Sequence, residues 1–107
     1  MANFMQMMQK AQGFKVKMQA LQERVGGMTI AGASAQGKVA CQMSGKGELK
    51  SLKIDPALIN AGEADIMEDL IVAAVNDARA KTEKIMADET QKLMQELGLP
   101  PGMGLPF

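Results

Sequence analysis

The sequence of 107 residues contains no histidine, tryptophan or tyrosine, and it has a single cysteine, Cys41. The absence of histidine removes the commonest general base and the commonest metal ligand, and a lone thiol excludes an internal disulfide. Without a histidine to activate it, Cys41 is expected to be a small core residue rather than a nucleophile. We therefore expect a protein that is not an enzyme and that needs no cofactor or metal.

Long apolar segments are also missing. The longest apolar run, residues 70–75, is far too short to cross a membrane. Glutamines interrupt the apolar side chains of residues 1–12, and no basic segment precedes them, so they do not match a secretory signal. Together with the single cysteine, these features predict a cytoplasmic protein of one domain, residues 1–98, without a membrane partner or a small-molecule substrate.

The 12 basic and 12 acidic side chains cancel, but they are distributed unevenly. Residues 1–54 carry eight basic and two acidic side chains, a net charge of +6, and residues 55–107 carry four and ten, a net charge of −6. This asymmetry is expected if the first half binds an anionic partner, and equally if the two halves pack together. The basic residues of the first half are Lys10, Lys15, Lys17, Arg24, Lys38, Lys46, Lys50 and Lys53.

Two long helices are predicted at the ends of the domain. In residues 3–25, apolar side chains recur at alternating intervals of three and four from Phe4 to Val25, which is typical of a heptad seam. Residues 63–97 predict a second helix of roughly 52 Å, at 1.5 Å per residue. Its residues 66–75 are apolar nearly all round, so we expect them to be buried on several sides and the rest to form an arm with the first helix.

The middle of the chain predicts an antiparallel meander, and therefore an α+β fold of order α-β-β-β-α. The turns are Gln36-Gly37 and Gly45-Lys46-Gly47; the latter lacks the earlier glycine and the following Ser or Thr of a phosphate-binding loop. A small sheet has two edges and two faces to cover, which favours dimerisation. Residues 99–107, rich in Pro and Gly, are expected to be a flexible tail. The three predicted strands are residues 28–34, 38–44 and 49–54.

Several short sequences stand out by their order along the chain. They are MQKAQ at residues 8–12, KMQ at 17–19, SG at 44–45, IDPAL at 54–58, MEDLI at 67–71, AA at 73–74, NDA at 76–78, PPGM at 100–103 and PF at 106–107. Together they resemble the YbaB/EbfC family of bacterial nucleoid-associated proteins over nearly the whole chain. The resemblance implies a tweezer-like homodimer with a body of sheets, two helical arms, DNA binding and an influence on nucleoid compaction and transcription.

Candidate interface residues follow from this expectation. Double-stranded DNA bound with low specificity is the expected partner, because the sequence has no aromatic series for stacking single strands and no short recognition helix. The same clamp could instead hold a protein through exposed methionines, and a mixed-charge pattern by itself is more typical of a solvated surface. The DNA-binding candidates are Lys10, Lys15, Lys17, Arg24, Arg79, Lys81 and Lys84. The dimer-interface candidates are Ile66, Leu70, Ile71, Val72 and Val75.

Overall fold

Two long helices and a three-stranded sheet make up the computed structural model, which describes residues 2–98. The predicted α+β class and the predicted order of elements are confirmed, and each predicted boundary lies within one residue of the observed one. The expected tail, residues 99–107, lies outside the described residues. The elements are α1 (Ala2–Gly26), β1 (Thr29–Ser34), β2 (Val39–Ser44), β3 (Leu49–Ile54) and α2 (Ala64–Glu96).

The sheet is the predicted antiparallel meander, with strand order β1-β2-β3. The first turn adopts the left-handed conformation at Gln36 and Gly37, with φ angles of 57° and 88°. In the second turn, Gly47 has a φ angle of 89°, a conformation that glycine adopts without steric cost. The hydroxyl oxygen of Ser44 accepts hydrogen bonds from the backbone N–H groups of Lys46 and Glu48, at 3.3 and 3.2 Å, which closes that turn.

The body of the molecule forms where α2 lies across β1 and β2. Val39, Cys41 and Met43 from the sheet pack with Ala74 of α2, and all four are buried. The prediction that Cys41 is a core residue is confirmed, since it is 3% exposed and its thiol donates to the carbonyl oxygen of Ala74 at 3.4 Å. Small residues on α2 let the helix backbone approach the sheet closely.

The second half of α2 leaves the sheet and packs against α1. Phe14, Met18, Leu21 and Val25 form a buried cluster with Leu93 of α2, which confirms the predicted pairing of helices. The molecule measures 71 × 23 × 18 Å and its radius of gyration is 19.4 Å, against about 13 Å for a compact domain of this length. The pair of helices is therefore an arm that projects from the body.

Two predictions about burial need correction. The heptad seam of α1 is buried only from Phe14 onward. Phe4 and Met7, which lie nearer the start of α1, are 67% and 64% exposed. Within a single chain, the apolar segment 66–75 is buried on one side rather than several, since the sheet covers only the side that carries Ala74. Ile66 and Val72 are 53% and 58% exposed. No helix among residues 2–98 is long and apolar enough to span a membrane.

Candidate nucleic-acid interface

Three of the predicted basic residues form a stripe along α1. Lys10, Lys17 and Arg24 are spaced by seven residues, which is close to two helical turns, so they lie on nearly the same side of the helix about 10.5 Å apart. Lys15 lies on the other flank of the buried seam. All four side chains are exposed, so α1 presents cations along the length of the arm.

An ion pair ties one end of this stripe to the neighbouring helix. Nη2 of Arg24 lies 2.8 Å from Oε2 of Glu89 on α2. The hydrogen bond from Arg24 is the main reason that the pKa of Glu89 is lowered below its ordinary value. Arg24 therefore helps to hold α1 against α2, and it would have to exchange this partner to contact a phosphate.

The predicted basic residues of α2 have different surroundings. Arg79 lies 3.7 Å from Glu83, with both side chains well exposed, and Lys81 lies 3.0 Å from Asp77 while also donating to a backbone carbonyl at 3.3 Å. Lys84 is nine residues before Leu93, which places it on the opposite side of α2 from the arm core. The structure therefore does not gather all seven candidates into one patch.

Four of the seven candidates, Lys10, Lys15, Lys17 and Lys84, have no carboxylate oxygen within 4.0 Å among residues 2–98. The two helices also differ in charge. α1 carries four basic residues and one acidic residue, and α2 carries four basic and eight acidic. The surface of the arm with the clearest attraction for a polyanion is therefore that of α1.

The structure reveals a second group of unpaired cations that sequence analysis had left without a role. Lys38, Lys46, Lys50 and Lys53 are all exposed, and none forms an ion pair within the described part of the chain. They belong to the β2–β3 hairpin and its flanks. The sequence does not show that Lys38 and Lys53 lie close together, but in the structure both line one open depression at the end of the sheet.

An uncovered apolar surface lies between α2 and β3. Asp77 and Lys81 of α2 reach the free edge of β1, so the opposite side of the helix, with Ile71, Val72 and Val75, is directed toward β3. Leu52 of β3 is 38% exposed, although it faces the same side of the sheet as its buried partner in β2. Three of the five predicted dimer-interface residues therefore border this surface.

Within residues 2–98, no group of three or more histidine, cysteine, aspartate or glutamate side chains is arranged to hold a metal ion. The prediction that the chain needs no metal remains a prediction. The surface of the described residues carries exposed cations and uncovered apolar side chains, which are suited to contacts with macromolecules.

The sequence matches the model of the YbaB/EbfC DNA-binding family over residues 1–97. Nucleoid-associated proteins of Brucella ovis and Brucella anthropi are each 47% identical to this chain over 107 residues, and the match covers 100% of both sequences. A crystal structure of an uncharacterized protein from Helicobacter pylori is similar with a TM-score of 0.68 at 24% identity, covering 78% of this chain and 88% of that one. That structural likeness supports the fold.

Proposed function

Since this chain belongs to the YbaB/EbfC DNA-binding family, we propose that it binds duplex DNA as a homodimer with low sequence specificity. On this proposal it is a nucleoid protein of the cytoplasm that affects nucleoid organisation and gene expression. Its role is to bind and position DNA rather than to catalyse a reaction.

The observation that carries this proposal is the set of unpaired lysines on α1. Lys10, Lys15 and Lys17 are exposed, and no carboxylate of the described chain neutralises them. Phosphate contacts of this kind position a protein on a duplex but carry little sequence information. Low specificity follows from the same chemistry, because a lysine ammonium recognises charge rather than base edges.

The remaining candidates take secondary roles in this proposal. Lys84 is unpaired but lies on the other side of the arm. There it would contact a different stretch of DNA from the lysines of α1, or DNA bound by the arm of the other protomer. Arg24, Arg79 and Lys81 already have carboxylate partners at 2.8 to 3.7 Å. A phosphate would have to compete with those carboxylates, so we expect each to contribute less to affinity than a lysine of α1.

The proposed homodimer rests on the uncovered apolar surface. Val72 and Leu52 would be covered by a second copy seated between α2 and β3, and Ile71 and Val75 would lose their remaining exposure. Ile66 and Leu70 lie toward the β1 side of α2, away from this contact, so this arrangement gives them no part in it. Burial of such side chains would stabilise the dimer by roughly 25 cal/mol per Å² of apolar surface. A body this small needs such additional stabilisation.

The test has two measurements on the purified protein. Sedimentation velocity at micromolar concentration should give a dimer. Fluorescence anisotropy with two unrelated duplexes of equal length should give dissociation constants within a few-fold of each other. A folded monomer would contradict the dimer, and absence of binding to either duplex at low salt would contradict the DNA-binding function.

A second candidate function is favoured by the exposed apolar start of α1. Phe4, Met5, Met7 and Met8 are between 51% and 69% exposed, and methionine adapts well to varied protein surfaces. The arm could hold a protein partner through these residues. Salt distinguishes the two functions, because phosphate contacts weaken steeply with salt and apolar contacts do not.

A further inference from the structure

The sheet has an outer face that α2 does not cover. The register pairs Ala40 with Ala33 and with Lys53, so these side chains share one face. The neighbouring row pairs Gln42 with Ala31 and Ser51 on that same face. Since Val39 and Cys41 of β2 turn toward α2, these rows lie on the solvent side. Apart from Gln42, and Lys53 at its border, the floor of this face is made of small side chains, which allow a ligand to approach closely.

Lysines border this floor at one end and along β3. Lys38 and Lys53 lie at one end of the sheet and line an open depression of about 680 Å³, together with Ala40 and Ile54. Lys50 lies about 10 Å further along β3, and its ammonium donates to the hydroxyl of Thr29 at 3.2 Å across the same face. The lysines therefore lie at one end and along the β3 side of a face that is roughly 20 Å long and 10 Å wide, from the dimensions of three six-residue strands.

Acidic groups do little to neutralise this face. Residues 38–54 contain four lysines and one acidic residue, Glu48, which lies in the hairpin turn. Asp55 lines the depression, but its carboxylate accepts the backbone N–H of Ala57 at 2.9 Å, as the cap of a short helical turn. The face therefore carries net positive charge with no ion pair among the described residues to satisfy it.

We propose that the outer face of the sheet, with Lys38, Lys50 and Lys53, is a second contact surface for the phosphodiester backbone of duplex DNA, separate from the arm. The inference rests on the proposed function, since it names a further site for the same ligand. The occupant is a polyanion because these lysines have no ion-pair partner among the described residues, and it is extended because the lysines are spread along the sheet. A spacing of about 10 Å between lysines spans roughly three base pairs at 3.4 Å each.

The proposed dimer contact leaves this surface available. A second copy would occupy the opposite face and the open edge of β3, where Leu52 and Val72 are uncovered. Both copies would then present their outer faces to solvent. DNA held by the arms could extend over the body, so that arm and sheet contribute phosphate contacts to one duplex.

The test is a salt-titrated comparison of two triple variants with the unmodified protein. The first variant combines Lys38→Gln, Lys50→Gln and Lys53→Gln. Its affinity for a duplex of about 30 base pairs should be at least tenfold lower near 0.1 M salt. The slope of log affinity against log salt should become shallower by about two to three, at 0.9 per lost contact. The matched variant with arginine at the same three positions keeps the charges and should bind like the unmodified protein.

Each outcome decides the inference. An unchanged slope in a glutamine variant that stays folded and dimeric overturns the sheet surface while leaving DNA binding by the arm intact. Failure of the unmodified protein to bind any duplex overturns the proposed function and this inference with it. If the glutamine variant does not fold, chemical acetylation of the unmodified protein decides: bound DNA should protect Lys38, Lys50 and Lys53, and equal acetylation with and without DNA contradicts the site.

Discussion

Asp77 and Lys81, one turn apart on α2, form an ion pair of 3.0 Å that lies against the free edge of β1. The carboxylate of Asp77 accepts the backbone N–H of Ala33 at 3.0 Å, and the ammonium of Lys81 donates to the carbonyl oxygen of Ala31 at 3.3 Å. These two side chains thus hydrogen-bond backbone groups on the free edge of β1, where another strand could otherwise pair. This leaves β3 as the edge open to a second chain.

This arrangement predicts how stability depends on pH. The hydrogen bond from Ala33, and then Lys81, lowers the pKa of Asp77 below its ordinary value of 3.8. A depressed carboxyl pKa stabilises the folded state above the ordinary value, and that stability is lost as the pH falls through the folded pKa. Asp77→Asn should therefore unfold more easily in urea at neutral pH and lose less stability below pH 4 than the unmodified protein. Asp88→Asn, at an exposed position on α2, is the control, and an identical acid profile in the Asp77 variant would contradict the account.

The contact between Gly32 and α2 predicts a steric penalty. A Cβ atom at Gly32 would lie 2.6 Å from the backbone nitrogen of Ala78 and 2.7 Å from its Cβ, so the helix would have to move. Gly32→Ala should lower the free energy of unfolding by about 1–3 kcal/mol, as overpacking does. Gly13→Ala is the matched control, because nothing lies within 4 Å of its Cβ position; it should stabilise by about 0.5–1 kcal/mol in a helix interior. Denaturant unfolding that ranks the two variants in the opposite order would contradict the packing.

The proposed dimer predicts a large effect of charge at Val72. Val72→Asp should convert the dimer to a monomer or an aggregate, because the carboxylate would be buried without a partner. Ala87→Asp adds the same charge at an exposed position on the arm and should remain dimeric. Sedimentation velocity of both variants tests this, and a Val72→Asp protein that stays dimeric at micromolar concentration would refute the interface.

Cys41 is predicted to have no part in binding. It is buried, and its thiol packs in the body core and donates to the carbonyl oxygen of Ala74. Cys41→Ala should cost about 1 kcal/mol of stability, as small buried deletions do, and leave the dissociation constant for DNA within about threefold. Loss of DNA binding in a variant that remains folded and dimeric would show that the thiol does more than pack.

Much of the fold could be predicted from the sequence because its determinants are local. Periodicity in residues 3–25 and the glycine-containing turns specify elements that the structure confirms. The side of α2 that is buried could not be predicted, because residues 66–75 are apolar all round and only the position of the sheet selects the Ala74 side. Long-range contacts between α2 and the sheet therefore determine which side of the helix is buried.

The candidate DNA-binding residues likewise fall into those that the sequence could place and those that it could not. The stripe of Lys10 and Lys17 follows from helical spacing alone. The ion pair of Arg24 with Glu89 and the hydrogen bond from Lys81 to Ala31 could not be found from sequence, since these partners are 65 and 50 residues away along the chain. The same limit hid the surface of Lys38 and Lys53, which line one depression only in the folded sheet.

The central claim is that unpaired lysines of α1 contact DNA phosphates, and a salt titration of one triple variant tests it most directly. Lys10→Ala, Lys15→Ala and Lys17→Ala should leave folding and sedimentation unchanged, since exposed charges contribute on the order of 0–1 kcal/mol. The affinity for two unrelated duplexes should fall by a similar factor, and the salt slope should become shallower by about two to three. An Arg24→Ala variant should change the salt slope less than a single Lys17→Ala variant does. A triple variant that remains dimeric and binds both duplexes with unchanged affinity and slope would contradict the claim and favour a clamp that holds protein.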